Sequence, residues 1–326
     1  MRKMIIDTDT ASDDAVAIMM ALMSPDIDVV ALTVVAGNVG LKQASINARY
    51  TVELCGHKTP VYEGAAAPLL REFYSGQFFH GHDGMGDMNY PAPQRPAEKK
   101  HGVQALIDYI EANPGIILVT LGPMTNVAMA VAQAPHIIKN VSRCIVMGGA
   151  ACNVGNITPA AEFNIWCDPE AARICFRSGL PIEMVGIEIC RGKANLGEEE
   201  IHYYREEIDT PMSHFTINCN STGLKVNQEW LGEIGIGLPD PIAMAIAIDP
   251  NLCTRSGKHH VEIECEGTFT RGMTVVDKLN VTAHDTANVD MWRPVTADGS
   301  PHITVCWELD IPGWKALLEQ SVRAQV

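Results

Sequence analysis

The chain is short of basic residues. Its 326 residues contain 24 Lys and Arg against 39 Asp and Glu, so the formal net charge at pH 7 is −15. Nucleic acids and anionic membranes attract positively charged patches, so this deficit argues against both as partners. A neutral or cationic small ligand, or a metal ion, fits the charge better.

Long apolar runs and paired cysteine motifs are also missing. No apolar stretch approaches the roughly 20 residues that span a bilayer, and the first ten residues, MRKMIIDTDT, lack the apolar core of a secretory signal. The ten cysteines include no CxxC pair, which disfavours a zinc ribbon or a thioredoxin-like site. We expect reduced and mostly buried cysteines in a cytoplasmic protein that has no membrane partner.

Short apolar runs alternate with longer helical patterns along the first two thirds of the chain. The runs predict strands at 4–6, 29–35, 116–120, 144–147 and 182–185. The stretches between and after them predict helices at 15–23, 44–54, 103–112, 125–133 and 169–178. This alternation predicts an α/β fold with a mostly parallel central sheet and helices on both faces.

The last part of the chain has a different pattern. Beyond residue 258 we predict β-prone segments at 261–265, 273–276 and 303–307, followed by a final helix at 314–323. The proline-rich stretch 90–100 is predicted to be a loop, and 196–209 an acidic helical excursion. Neither divides the chain convincingly, so residues 1–326 are predicted to form a single domain.

An acidic loop lies between the first predicted strand and the first predicted helix. It carries Asp7, Asp9, Asp13 and Asp14, and no Lys or Arg follows until Lys42. Two carboxylates about 5 Å apart repel by roughly 3 kcal/mol at an effective dielectric of 20, and a helix N-terminus recovers only about 0.3–1 kcal/mol per charge. The loop therefore predicts a hard cation such as Ca²⁺ or Mg²⁺, the alternative being a capping cluster that faces solvent.

A second interpretation of this loop concerns phosphate chemistry. A buried strand that ends in Asp-x-Asp-x-Thr resembles the first motif of the haloacid dehalogenase-like phosphatases. Asp7 would then be the nucleophile and Asp9 the general acid. That interpretation requires a downstream phosphate-binding Lys and a second acidic pair for Mg²⁺, and we find no convincing set.

Further motifs follow the acidic loop in a fixed order, between about residues 5 and 277. They are AGN at 36–38, HGHDG at 80–84, LGPMTN at 121–126, MGG at 147–149, GN at 155–156, AEFN at 161–164, DPEAA at 168–172 and PDP at 239–241. Together they resemble the inosine-uridine preferring nucleoside hydrolase family. The resemblance implies a Rossmann-like sheet, hydrolysis of the N-glycosidic bond of ribonucleosides to ribose and free base, a bound Ca²⁺, and a homodimer or homotetramer.

The resemblance also implies a role for each matching position. Asp9, Asp14, Asp240 and the backbone carbonyl of Leu121 would hold the Ca²⁺, and Asp9 would take a proton from the calcium-bound water. The implied ribose contacts are Asp13, Asn38 and Asn164 at the 2′ and 3′ hydroxyls, Asn156 and Glu162 at the 5′ hydroxyl, and Met147 under the sugar. Such oxygen-rich surroundings favour the cationic, oxocarbenium-like transition state over the neutral nucleoside.

The sequence departs from the family pattern at two places near the site. Thr10-Ala11 replaces the usual Pro-Gly of the first loop, and Pro239 stands where many members carry a His that can protonate the leaving base. We therefore expect His80 and His82 to activate the leaving base, because imidazole titrates near neutral pH. The alternative is that both are ordinary loop histidines.

A further residue is expected to stack on the base. Among Tyr203, Tyr204, His214 and Trp230, we favour Trp230 as the residue that stacks on the base, because its ring offers the largest flat face. Cys190 is expected to pack rather than to line the pocket. An alternative function is a non-catalytic nucleoside- or ribose-binding protein that retains the metal site.

Overall fold

The computed structural model describes residues 1–281 and 302–324, apart from the side chains of Trp230, Leu231 and His302. Within these ranges one sheet contains β1 (Arg2–Thr8), β2 (Ile27–Val34), β3 (Val61–Glu63), β4 (Ile116–Thr120), β5 (Val141–Met147), β6 (Ile182–Val185), β7 (Cys253–Ile263), β8 (Thr274–Val276) and β9 (His302–Leu309). The strand order is β3-β2-β1-β4-β5-β6-β9-β7-β8.

The sheet is mostly parallel, as predicted. Every pair from β3 across to β9 is parallel, whereas β7 pairs antiparallel with both β9 and β8. In β1, an interior strand of the sheet, Met4, Ile5 and Ile6 are fully buried. Consecutive residues of a strand face opposite sides, so this strand reads as an unbroken apolar run because both faces are covered.

Helices cover the sheet and fill its connections. They are α1 (Ser12–Met23), α2 (Leu41–Leu54), α3 (Gln77–His80), α4 (Gly102–Ala112), α5 (Thr125–Gln133), α6 (Phe163–Cys167), α7 (Pro169–Arg177), α8 (Glu198–Tyr203), α9 (Pro211–Asn218), α10 (Ser221–Val226), α11 (Pro239–Ile248) and α12 (Ile311–Arg323). The predicted acidic excursion is α8 followed by a π-helical turn at Tyr204–Ile208. None of the described helices is long and apolar enough to cross a membrane.

Helix α11 is the main element that the sequence pattern did not predict. Every residue from Asp240 to Ile248 is buried, because α11 packs against both α1 and β5. A helix that is apolar on all sides has no amphipathic period to reveal it. Strand β7 also begins earlier than predicted, at Cys253, because pairing with β9 recruits the polar segment 254–258.

The cysteines follow the expectation of a reduced protein. All ten are free, and only Cys152 and Cys253 are not buried. What positions the functional site is the parallel part of the sheet, because β1, β2, β4, β5 and β6 all end at the same edge. The loops that follow these strands therefore meet there, which is where open α/β sheets bind ligands.

Candidate active site

A cavity of about 310 Å³ lies at this edge of the sheet. The loops after the strands and the first turns of the helices form its walls. The predicted site residues that line it are Asp13, Asn38, His80, Leu121, Met147, Asn156, Glu162, Asn164 and Asp240. The structure thus brings together residues that are up to 227 positions apart in the sequence, the separation of Asp13 and Asp240.

Four buried carboxylates cluster at this edge of the sheet. Asp13 and Asp240 line the cavity, whereas Asp9 and Asp14 are fully buried and do not line it. Carboxylate oxygens of Asp13, Asp14 and Asp240 lie within 4.8 Å of one another, a spacing at which they could share a metal ion. Asp9, directly after β1, interacts with Asp14. Its Oδ2 accepts a hydrogen bond from the backbone amide of Asn38, whereas its buried Oδ1 has no hydrogen-bond partner among the described residues.

The turn between β1 and α1 holds Asp14 in place without the usual Pro-Gly. The Thr8 hydroxyl donates to Asp14 Oδ1 at 2.6 Å, and the Ala11 amide donates to Asp14 Oδ2 at 3.0 Å. The Thr10 amide donates a hydrogen bond to the Thr8 hydroxyl at 3.1 Å, which closes the turn. Thr10-Ala11 therefore supports the acidic cluster through its backbone.

Two glycines make room for the Asp9 carboxylate. A Cβ added at Gly37 would lie 2.1 Å from Asp9 Oδ2, and one added at Gly122 would lie 2.5 Å from Asp9 Oδ1. Real Cβ atoms do not approach other atoms closer than 3.0 Å. Both positions therefore require glycine as long as Asp9 occupies this place.

The carboxylates of this cluster carry more negative charge than the protein neutralises. Burial raises the pKa of Asp13 to about 7 and also raises the pKa values of Asp9, Asp14 and Asp240. Repulsion from neighbouring carboxylates is the second cause for Asp9, Asp13 and Asp240. Across 1–281 and 302–324 no Lys or Arg pairs with any of the four, so a bound cation is the natural counter-charge.

Asn164 ties the ends of two strands together beside this cluster. Its Nδ2 donates to the backbone carbonyl of Leu121 at 2.8 Å and to that of Met147 at 3.2 Å. The Leu121 carbonyl therefore already accepts one hydrogen bond, and its second lone pair is the one that a metal would use. The Asn164 amide oxygen is left as the polar atom for a ligand.

Glu162 and Asn156 also line the cavity. Glu162 caps α6, and its carboxylate accepts from the amides of Asn164 at 2.8 Å and Gly149 at 2.9 Å. Burial nevertheless raises its pKa to about 7. Asn156 is exposed at the mouth, and its Oδ1 accepts from the Phe163 amide at 2.9 Å.

The two predicted catalytic histidines have different surroundings. His80 ends α3 and lines the cavity, and burial lowers its pKa to about 4, so its imidazole is neutral at physiological pH. His82 is exposed, donates its backbone amide to Asp87 and does not line the cavity. Gly81, which separates them, has a positive φ. Because His82 does not line the cavity, the expectation that it reaches the leaving base is not retained.

Among the base-side residues, the prediction for Trp230 stays a prediction, whereas its alternatives do not line the cavity. The Trp230 side chain lies outside the described part of the structure, although its backbone belongs to a π-helical turn at Asn227–Leu231. Tyr203, Tyr204 and His214 do not line the cavity: Tyr204 is buried in the core, and His214 pairs with Asp209. Cys190 is both packed in the core and part of the cavity wall.

Several lining residues were missed from the sequence. They are Phe78, Phe79, Ile157, Phe163, Ile187, Arg191, Val226 and Asn227. The aromatic pair before His80 is a signal that could have been used, because aromatic side chains beside a glycine-rich loop suit stacking on a base. Nothing in the local sequence distinguishes Asn227 from other loop asparagines.

Asp7 does not face the cavity, which contradicts the phosphatase interpretation. The sheet register places it beside Thr33 and Thr120, and its Oδ1 accepts from the Thr33 hydroxyl at 2.5 Å and from Asn126 at 2.9 Å. It is completely buried. A nucleophile has to reach its substrate, and this carboxylate is committed to joining β1, β2 and α5.

A carboxylate cluster that could hold a metal ion, at the ends of parallel strands and with a cavity beside it, is typical of α/β enzymes that bind a small ligand. A family model described as inosine-uridine preferring nucleoside hydrolase matches residues 4–315, and the chain belongs to this family. It is a ribonucleoside hydrolase, and the family is metal-dependent.

Named relatives agree with this assignment. The inosine-uridine preferring nucleoside hydrolase of Leishmania major is 36% identical over 280 residues, 85% of this chain and 88% of that protein. The pyrimidine-specific ribonucleoside hydrolase RihA of Escherichia coli K12 is 33% identical over 323 residues, 98% of this chain and 97% of that protein. A solved plant nucleoside hydrolase superposes with a TM-score of 0.91 at 33% identity, covering 99% of each chain. These names do not favour a non-catalytic binding protein.

Proposed function

We propose that this enzyme cleaves the N-glycosidic bond of ribonucleosides with Ca²⁺ in its carboxylate cluster and with Asp9 as the base that activates water. The observation that carries the proposal is Asp9 itself. Its Oδ1 is buried without a hydrogen-bond partner among the described residues, beside three further carboxylates that no Lys or Arg neutralises.

The donor atoms in the cluster fit Ca²⁺. Asp9, Asp14, Asp240 and the Leu121 carbonyl would hold the ion, and Asp13 lies within reach of the same position. These donors are all oxygen atoms, which hard cations prefer, and Ca²⁺ accommodates a large and irregular oxygen shell. When bound, the ion supplies a template for ribose hydroxyls and water and increases the acidity of that water.

Asp9 is oriented for proton transfer by its surroundings. The Asn38 amide holds Oδ2, and Gly37 and Gly122 leave space on both sides of the carboxylate. The uncommitted Oδ1 can accept the proton of the attacking water. A general base of this kind contributes about 10²–10⁴-fold to the rate.

The rest of the cavity suits a ribose that becomes cationic. Asp13, Asn38 and Asn164 would bind the 2′ and 3′ hydroxyls, and Met147 would pack under the ring. Asn156 and Glu162, which also line the cavity, would bind the 5′ hydroxyl. Carboxylate and amide oxygens on these sides stabilise positive charge that exists in the transition state and is absent from the nucleoside.

The Asp9→Asn substitution tests the base. It preserves size and removes the proton acceptor, so we expect kcat for inosine, uridine and p-nitrophenyl riboside to fall by about 10²-fold or more. The variant should still bind a ribose analogue, as measured by calorimetry with Ca²⁺ present. The matched control is Asp26→Asn, because the Asp26 side chain is exposed. An Asp9→Asn enzyme with most of its activity would remove the proposed role.

The quaternary structure implied by the family resemblance is also part of the proposal. We expect a homodimer or a homotetramer. Light scattering coupled to size-exclusion chromatography measures the mass directly, and a monomer at micromolar concentration would contradict it.

A further inference from the structure

Two buried side chains from separate elements form a short hydrogen bond beside the cavity. Ser12 is the first residue of α1, and His80 is the last residue of α3. Ser12 Oγ lies 2.6 Å from His80 Nδ1. Ser12 is 1% exposed and His80 is 8% exposed, so water does not compete for this contact.

The partners available to each atom set the direction of this bond. The Ser12 hydroxyl has no other hydrogen-bond acceptor in the part of the chain that is described, whereas His80 Nδ1 lies 3.9 Å from Asp13 Oδ1, beyond hydrogen-bond distance. The hydroxyl therefore donates, and Nδ1 accepts. In a neutral imidazole the other nitrogen, Nε2, then carries the ring hydrogen.

The half of the ring that carries Nε2 lies beside another residue of the cavity wall, Gly76. Gly76 and His80 both line the cavity, and a Cβ added at Gly76 would lie 3.4 Å from His80 Cδ2, the atom bonded to Nε2. Pro239 also lines this region and has no side-chain donor. Among these lining residues, His80 can thus present an N–H group to the cavity, whereas Pro239 cannot.

We propose that Ser12 is a positioning residue that holds His80 in the tautomer whose Nε2–H donates a hydrogen bond to the leaving base. The proposal rests on the proposed function, since it concerns the departing base of the same reaction. Serine at this position then compensates in part for the proline at position 239. Ser12 itself touches neither the sugar nor the reacting bond.

The test compares leaving groups that need a donor with one that does not. Ser12→Ala should lower kcat for inosine and uridine by roughly ten- to hundredfold, with KM nearly unchanged. Turnover of p-nitrophenyl riboside should stay within about twofold of wild type, because p-nitrophenolate departs without protonation. Ser45→Ala, which removes a buried serine hydroxyl from α2 outside the cavity, is the matched control and should change neither activity.

A double-mutant cycle separates positioning from general disruption. His80→Gln should show the same selective loss, and Ser12→Ala combined with His80→Gln should be no slower than His80→Gln alone, since Ser12 acts through His80. Additive losses would overturn the proposal. An equal loss with all three substrates would also overturn it, because that result indicates a structural role, and so would an unchanged Ser12→Ala enzyme.

Failure of the inference and failure of the proposed function give different results. A wild-type enzyme that releases no p-nitrophenolate in the presence of Ca²⁺ would count against the proposed function. An active wild-type enzyme whose Ser12→Ala variant keeps normal inosine and uridine turnover would count against the inference alone. Release of p-nitrophenolate by Ser12→Ala also shows that the variant is folded around an intact sugar site.

Discussion

A substitution at Gly37 would directly displace Asp9, the proposed general base. In Gly37→Ala the new Cβ would lie 2.1 Å from Asp9 Oδ2 and 2.7 Å from Pro123 Cδ. The carboxylate would have to move by about 0.9 Å to reach 3.0 Å, the shortest separation that real Cβ atoms show. A displacement of about 1 Å costs about 10²-fold in rate, or about 2.7 kcal/mol of transition-state stabilisation. Overpacking of this kind also lowers stability by about 1–3 kcal/mol.

The control lies three residues away in the same connection. Gly40 caps α2 with ordinary extended dihedral angles, and a Cβ there would meet nothing within 4 Å. We expect Gly40→Ala to keep kcat/KM for p-nitrophenyl riboside near the wild-type value and Gly37→Ala to lose about 10²-fold. Thermal unfolding of both variants shows whether the protein remains folded. If a folded Gly37→Ala enzyme matched Gly40→Ala in activity, catalysis would not depend on the position of the Asp9 carboxylate beside Gly37, and the reasoning would be refuted.

Two further predictions concern the buried charges. Treatment with a chelator should abolish turnover and lower the melting temperature, and added Ca²⁺ should restore both, because the ion stabilises only the folded cluster; full activity in chelator would contradict the metal assignment. Since burial raises the pKa of Glu162 from 4.5 to about 7, the folded protein retains a proton that the unfolded chain releases. The stabilisation that comes from this bound proton is complete below about pH 4.5 and is lost as the pH rises to about 7. The free energy of unfolding then falls by about 3 kcal/mol. Urea titrations of metal-free protein at about pH 5 and about pH 8 should therefore show a smaller pH dependence for Glu162→Gln than for wild type, and equal pH dependence would contradict this account.

Much of the fold could be predicted because its elements have local signatures. The apolar run that contains Ile5 and Ile6 predicts a strand covered on both faces, and the structure has such a strand in the interior of the sheet, between β2 and β4. Asp168-Pro169 predicts the start of a helix. In the structure the Asp168 side chain accepts a hydrogen bond from the Ala171 amide at the start of α7. Helix α11 escaped prediction because its neighbours bury all of its sides, and nothing in its local pattern records which elements surround it.

The candidate site divides in the same way between local and long-range information. The sequence alone determined that acidic residues crowd the end of a strand without a nearby cation, and the order of its motifs identified the family. Only the tertiary structure decided which carboxylates meet. It placed Asp240 beside Asp13 and Asp14 through the packing of α11 on α1, and it turned Asp7 away to Thr33 and Asn126. It also separated His80 from His82 and paired His80 with Ser12, 68 residues earlier. Contacts of this range follow from how helices and strands pack, because a side chain's local sequence specifies its chemistry but not the partner that folding brings to it.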